Sequence, residues 1–494
     1  MIKVADTLAG EKYGLSELTL MKNAARACFD EIYKEISTKD KIVILCGKGN
    51  NGGDGYELAR ILKKEWFDVC CINVFGEAPC TQTAKTVYES CKNDGVEIFA
   101  IDRAQELTAN ANVIIDAVFG VGFKGSIEGT SDLGYLIELC NEKEAKRIAI
   151  DVPSGVDSGN ASVMGIAFCA HLTLTLAFYK TGTLTYPAKE YCGEIRLLKI
   201  GFPKELEDDI PKDALIPDDE YLKSAIPKRL SNTHKGTYGR LLMFCASEFM
   251  TGAGVLAAKA ALRCGTGLVQ IARNKETLKI LQQHLIEPVF TPCDVSAEDG
   301  IELLLKESQR ATAVLTGCGL GTDENDKRAV FSLIKDCPSP LIIDADGINA
   351  LSSNILILKE AKRTAILTPH PLEFSRLIGK SVSEVQDNRI SLARSFAKEY
   401  GAVLVLKGAR TVIAGPDGRL AICTNGGPGL AKGGSGDVLA GVISAFRALG
   451  MSAFDSAVCG VYLHARAGDI LTDRISASGF LPSDLPLAIG RLLP

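Results

Sequence analysis

From Lys41 onward, short apolar runs rich in β-branched residues alternate with stretches whose apolar residues recur at helical spacing. The series runs KIVILC, a helix over 55–64, VCCINVF, a helix over 81–93, NVIIDAVFG, a helix over 132–143, and RIAIDVPSG. This rhythm predicts a parallel sheet with helices on both faces. Upstream, 16–36 opens on a capping serine and carries an amphipathic helical pattern. Between about Pro203 and Ser231 the chain turns proline- and charge-rich without a long apolar run, which predicts a domain boundary. A second alternating series follows, through GRLLMFCAS, AVLTGCG, PLIIDADG, TAILTPH and AVLVLKG to a helical end. The expectation is two α/β domains, over 1–210 and 225–494, with no short repeat and no low-complexity segment.

Composition narrows the class of molecule. Of the 494 residues 46% are hydrophobic and 23% charged, and the net charge of −5 gives no general attraction to nucleic acid or to an anionic membrane. The most apolar stretch, Met164 to Tyr179, is broken by His171 and several threonines and is shorter than the roughly 20 residues of a membrane helix. The N-terminus carries no secretory pattern, so a cytoplasmic protein is expected. Sixteen cysteines are scattered without a C-x-x-C pair, which reads as reduced core residues. With five histidines, no two within a helical turn of each other, chemistry is left to loops and carboxylates.

In the first series, KIVILC runs into Gly47-Lys48-Gly49-Asn50-Asn51-Gly52-Gly53-Asp54-Gly55 and then a helix. Glycines let backbone approach a ligand, and free amides at a helix start favour phosphate. Gly47, Gly49 and Gly52 satisfy the dinucleotide fingerprint, although a tight packed turn has the same letters. Asp116 and Asp151 stand at two further strand ends, the edge where open α/β sheets bind ligands, in DAVFGVGFKG and DVPSGVD. With the upstream Met21-Lys22-Asn23-Ala24-Ala25, this ordered set resembles the NAD(P)H-hydrate epimerase family over nearly all of residues 1 to 200. The resemblance implies a Rossmann-like doubly wound sheet. It implies that substrate is held by Asn50, Asn51, Gly52, Gly53 and Asp54, and by Gly120, Val121, Gly122, Phe123, Lys124, Gly125 and Ser126. It further implies a potassium ion among Asn51, Asp116 and Ser154, and Asp151 facing the substrate as acid or base. A hydrated nicotinamide carries a hydroxyl on a carbon next to the ring nitrogen, so a proton-transferring carboxylate suits inversion of that centre.

In the second series the informative string is Asn425-Gly426-Gly427-Pro428-Gly429-Leu430-Ala431-Lys432-Gly433-Gly434-Ser435-Gly436-Asp437, opening the helix VLAGVISAFRAL. Small residues leave amides free to form an anion hole at a positive helix end, and Asp437 is placed to take a proton from an attacking hydroxyl. The string is similar to the active-site signature of the ribokinase-like superfamily, and to its ADP-dependent NAD(P)H-hydrate dehydratase branch. The resemblance is carried also by TGAG before CGTGLVQIA, GCGLG, DADGIN, TPHPLEF and KGART. It implies adenine nucleotide against Lys407, Gly408, Ala409, Arg410, Thr411 and Gly436, and hydrated NADH or NADPH near Ala253, Gly254, Gly319, His370 and Asp437. ADP with Mg²⁺ is the implied phosphoryl donor, and a homo-oligomer is expected. Asp344 and Asp346 read either as helix caps or as site residues. Lys432 stands where relatives carry a small or hydroxyl residue, which predicts altered anion binding there.

Other readings use the same letters. A dehydrogenase would close its second strand with an acidic residue, whereas VCCINVFGEAP offers only Glu77, past a glycine. A ribokinase-like small-molecule kinase fused to a nucleotide-binding domain would use Asp437 identically. A nucleotide sensor would not need the complete proton-transfer and anion-hole set at Gly433 to Asp437.

Overall fold

The computed structural model describes residues 2–494, apart from the side chains of Ile2, Lys3 and Asp6. The chain divides into two compact units, one ending at Lys212 and the other starting at Asp213.

The first unit is built on seven strands: β1 (Lys41–Cys46), β2 (Asp68–Asn73), β3 (Glu97–Ala100), β4 (Val113–Ala117), β5 (Lys146–Ile150), β6 (Leu172–Leu176) and β7 (Glu194–Leu198). Their order is β3-β2-β1-β4-β5-β6-β7, and every pairing is parallel. Alternate side chains feed opposite faces. Ile42, Ile44 and Cys46 join the helices Glu17–Ile32 and Asn50–Lys64 in one core, while Val43 and Leu45 join Leu136, Ile137 and Cys140 in another. The sheet is therefore doubly wound, with its switch point between β1 and β4. Loops leaving the carboxyl ends of β1, β4 and β5 consequently meet at one crevice. The helix over 16–36 is found at Glu17–Ile32, with Ser16 as its cap. The glycine-rich segment differs from the expected turn: its helix already begins at Asn50, so Gly52, Gly53 and Gly55 are helical.

The second unit carries β8 (Arg240–Phe244), β9 (Leu268–Arg273), β10 (Val289–Pro292), β11 (Ala313–Thr316), β12 (Leu341–Ile343), β13 (Ile366–Leu367), β14 (Val403–Leu406), β15 (Val412–Ala414) and β16 (Leu420–Ile422). The order is β10-β9-β8-β11-β12-β13-β14-β15-β16, parallel up to β14 and antiparallel beyond it. One face is covered by the helices Thr251–Arg263, Ser435–Ala448, Ala453–Arg474 and Leu485–Leu492. A Cβ on Gly441 would fall 2.2 Å from the Ala257 carbonyl oxygen, so only glycine permits this helix approach. The proline-rich stretch is not free linker throughout. Leu215 exchanges backbone hydrogen bonds with the edge strand β16, and Tyr221 Oη donates to Asp455 at 2.7 Å. Every cysteine is a free thiol, and among the described residues no helix is long and apolar enough to cross a membrane.

Candidate active sites

In the first unit a cavity of about 530 Å³ lies at the carboxyl ends of β1, β4 and β5. Met21 and Ala24 wall one side, and Asn50, Asn51, Asp54, Gly120, Val121, Gly122, Phe123, Lys124 and Asp151 contribute the rest of the expected set. Gly52, Gly53, Gly125 and Ser126 lie outside its lining. The two helical glycines have another task. A Cβ on Gly52 would sit 1.9 Å from the Gly47 carbonyl oxygen, and one on Gly53 would meet Met21 at 2.6 Å. They bring the helix down onto the strand end, while Gly49 has open space beside it and its helix lacks a side-chain cap. The first-turn amides are thereby left for a ligand.

Asp151 follows β5 in a left-handed conformation, φ +68, which a non-glycine residue adopts only where its surroundings compel it. Those surroundings are visible. Its Oδ1 accepts from the Lys180 ammonium and from the Leu176 amide at 3.2 Å, and its Oδ2 lies 3.4 Å from the Val121 amide. Both side chains of the ion pair are buried, 4% and 9% exposed, and Lys180 also donates to Thr175 Oγ1 and the Leu176 carbonyl. Oδ1 is thus committed to Lys180 and Oδ2 is the less engaged oxygen on a cavity-lining residue. Sequence reasoning missed Lys180. Its one signal is a lone lysine following the apolar strand LTLTL.

Asn51 and Ser154 bond the two peptide groups that flank Phe119, and Ser154 in turn bonds Asp116. Asn51 Nδ2 donates to the Phe119 carbonyl at 3.0 Å, and the Phe119 amide donates to Ser154 Oγ at 3.0 Å. Ser154 donates its hydroxyl and its amide to the two Asp116 oxygens at 2.8 and 2.7 Å. Burial pushes the Asp116 carboxyl up to about 6, against the pull of the Ser154 and Val118 amides and the Ser154 hydroxyl. Asn51 Oδ1 is buried without a hydrogen-bond partner. A buried orphan acceptor beside a buried carboxylate is a donor set that a monovalent cation fits.

In the second unit the loops after β11, β12, β13 and β14 converge on Asp344, which is 2% exposed. Its Oδ1 accepts from Lys407 at 2.9 Å and Thr368 at 2.6 Å, and the Cys318 thiol lies 3.7 Å from Oδ2. Cys318, Asp344 and Asp437 bring their ligating atoms within 4.8 Å of one another. Burial, reinforced by the Asp344 charge and opposed by Lys407, pushes Asp437 up to about 6. Lys407 behaves oppositely: burial disfavours its charge, but the Asp344 and Glu373 carboxylates prevail and hold it above its ordinary value. A Cβ on Gly436 would lie 3.4 Å from Lys407 Nζ, so the ammonium stands at the start of the helix Ser435–Ala448, which has no side-chain cap. Cation and free amides together make an anion hole.

The other expected residues take definite places. Ala253 adjoins Gly319, where a Cβ would meet it at 2.7 Å, and Gly254 packs against Ala246. His370 caps the helix Pro371–Ile378 through Nδ1, with Nε2 3.3 Å from Glu373. Gly408, Ala409, Arg410 and Thr411 form the turn between β14 and β15, where Arg410 donates to the Thr424 carbonyl at 2.5 Å. Beneath the turn, buried Arg389 donates to the Leu406 and Lys407 carbonyls at 3.0 and 3.3 Å, a support not legible in the motifs. Lys432 departs from expectation: its ammonium is spent on the Ser478 and Phe480 carbonyls and lies over the Phe480 ring, so it pins the loop. Asp346 accepts the Gly321 amide at 2.8 Å. His464, another residue missed, is buried behind the loop and bonds the Ser435 backbone, and burial lowers its pKa to about 4.

Residues 241–491 match the family model of NAD(P)H-hydrate dehydratase, and residues 17–182 match that of the YjeF-related protein N-terminus. The chain belongs to the bifunctional NAD(P)H-hydrate repair family. A relative of that name from Thermofilum pendens is 35% identical over 509 residues, covering 99% of this chain and 95% of its own. Another, from Escherichia coli, is 31% identical over 494 residues, covering 100% of this chain and 92% of its own. Among solved structures, a ribokinase-like superfamily protein from Enterococcus faecalis superimposes with a TM-score of 0.50 at 24% identity, covering 57% of this chain and 96% of its own. That likeness shows the fold of the second unit. The protein is accordingly a repair enzyme with an epimerase and a dehydratase part.

The Asp151–Lys180 pair yields a direct test. Lys180→Met leaves a buried carboxylate without its counter-ion, which costs about 3–5 kcal/mol of stability. We expect a lowered melting temperature in calorimetry and, in the folded fraction, a lowered epimerase kcat with KM little changed. An unchanged kcat would make Lys180 purely structural.

Proposed function

We propose that the first unit inverts the hydroxyl-bearing carbon of hydrated NADH and NADPH, with Asp151 as the proton-transferring group. The observation that carries this is a cavity-lining carboxylate held by Lys180 through one oxygen only. Asp151 in its acid form protonates the departing hydroxyl, the C–O bond breaks to leave water and a ring iminium, and the carboxylate takes a proton from the water that adds to the other face. Lys180 is a positioning residue: it fixes the carboxylate through Oδ1 and leaves Oδ2 the less engaged oxygen. Asn50, Asn51, Asp54, Gly120, Val121, Gly122, Phe123 and Lys124 are assigned to substrate, and so, beyond the cavity lining, are Gly125 and Ser126. Gly52 and Gly53 act through the helix they let descend. Potassium is assigned to Asn51, Asp116 and Ser154, where it would satisfy the orphan Asn51 oxygen and offset the Asp116 charge.

In the second unit we assign proton abstraction to Asp437. It takes the proton of the C6 hydroxyl of the S hydrate, the freed oxygen attacks the terminal phosphoryl group of ADP, and AMP departs. Phosphate then leaves that carbon, and loss of a proton from the neighbouring ring carbon to the departing phosphate restores the ring double bond. Lys407 and the amides at Ser435 and Gly436 bear the phosphoryl charge, and the turn from Gly408 to Thr411 takes the adenine nucleotide. Ala253, Gly254, Gly319 and His370 are assigned to hydrate. Mg²⁺ enters with the nucleotide phosphates, and no side chain is assigned to it. A mixture of racemic hydrate, ADP and magnesium should regain the full reduced-nicotinamide absorbance. A phosphorylated product without free phosphate would favour the kinase reading instead.

The assignments separate by mutation. Asp437→Asn should abolish dehydration and leave epimerisation intact. In the native enzyme kcat/KM for dehydration should fall about tenfold per pH unit below about 6, because the base must be unprotonated. A flat profile from pH 5 to 8 would remove Asp437 from that role.

Asp151→Ala should slow epimerisation by ~100-fold or more with little change in substrate affinity, as for a lost general acid or base. A racemic mixture would then be consumed promptly only to its S half. Rapid, complete consumption would place the catalytic group elsewhere.

Replacing potassium by sodium should slow inversion, and Asn51→Leu should erase that difference. Equal rates in the two ions for the native enzyme would count against the cation site.

A further inference from the structure

The catalytic groups of the second unit all follow strand carboxyl ends, but a second cavity opens at the opposite edge. It holds about 400 Å³ and is lined by residues just ahead of β8 and β9, among them Arg229, His234, Lys235, Tyr238 and Thr266. Strands of five and six residues separate the two edges by roughly 17 Å, so one small ligand cannot serve both.

The lining has a single chemical character. No carboxylate contributes to it, and among the described residues neither Arg229 nor Lys235 has an ion-pair partner. The Arg229 guanidinium carbon lies 3.9 Å from the centre of the Tyr238 ring, a contact that holds the cation at the cavity. His234 caps the short turn Lys235–Tyr238, its Nδ1 accepting from the Gly236 amide at 3.1 Å. With Nδ1 so occupied, Nε2 carries the hydrogen and is a donor. Thr266 is 6% exposed, and its hydroxyl is buried without a hydrogen-bond partner. An unpaired buried hydroxyl costs free energy that a ligand recovers. Guanidinium, imidazole N–H, ammonium and hydroxyl are donors around one volume, and oxyanions are what such sets recognise.

We propose that this cavity binds adjacent phosphoryl groups, free or carried on a nucleotide, at a site separate from the dehydratase centre. The volume and the spread of donors over the turn and the β9 approach fit a diphosphate better than a single phosphate. This assignment does not depend on the catalytic roles given above.

Calorimetric titration of the full-length protein with inorganic pyrophosphate tests it. Lys407→Met removes the competing anion hole of this unit, and in that background pyrophosphate should still bind, more weakly as salt rises. Adding Arg229→Ala and Lys235→Ala should weaken that binding at least tenfold. Thr266→Val should weaken it several-fold while the ligand-free melting temperature holds or rises, since a hydroxyl without a partner is replaced by a methyl of the same shape. Competition by ADP or NADPH at lower concentration than pyrophosphate would identify a nucleotide as the source, and competition only by free phosphates would identify the inorganic anion. Pyrophosphate binding that is indifferent to Arg229, Lys235 and Thr266, an adventitious ion only, would overturn the proposal.

Discussion

A carboxylate taken out of water must be met by a cation or by several donors, and each unit of this protein is organised around one such meeting. In the first, Asp151 and Lys180 are both almost wholly buried. In the second, Asp344 is held by Lys407 and Thr368. In both cases the acid follows one strand and the lysine arrives from the end of another. The pair therefore forms only when the parallel sheet is assembled in its correct order, and the site inherits its geometry from the fold.

Around each pair, burial makes chemically different groups of similar side chains. Asp344 faces a cation directly, whereas Asp437 shares the same neighbourhood with less of Lys407 and is pushed up to about 6. Burial and a neighbouring like charge raise the carboxyl that the cation engages less. Asp116 is also pushed up to about 6, by burial against three donors, and Asn51, which donates to the Phe119 carbonyl, keeps a buried oxygen without a hydrogen-bond partner.

Backbone supplies the remainder. Gly47 and Gly52 allow a helix to start against a strand end, and Gly441 lets two helices of the second unit touch. Lys432 and Arg389 spend their charge on carbonyl oxygens of the loops they hold rather than on a ligand. A basic residue in an anion-binding motif is thus not necessarily an anion ligand. What decides is whether main-chain acceptors reach it first.

The sequence by itself determined the alternation of strands and helices, the glycine-rich turn after Cys46, the strand-end acids Asp116 and Asp151, and the helix-opening Asp437, because each is a local feature of spacing. It did not reveal β3, β10, β15 or β16, which span only 3 or 4 residues, nor β6 and β7 with 5 each, all of which owe their form to pairing with neighbours. Nor did it show where the glycine turn becomes helix, since that boundary depends on the close approach of Gly52 to Gly47. The partnerships of Asp151 with Lys180, Asp344 with Lys407, and Asn51 with Phe119 were decided by tertiary structure alone. They join residues 29, 63 and 68 positions apart, a distance over which no periodicity in the chain carries information.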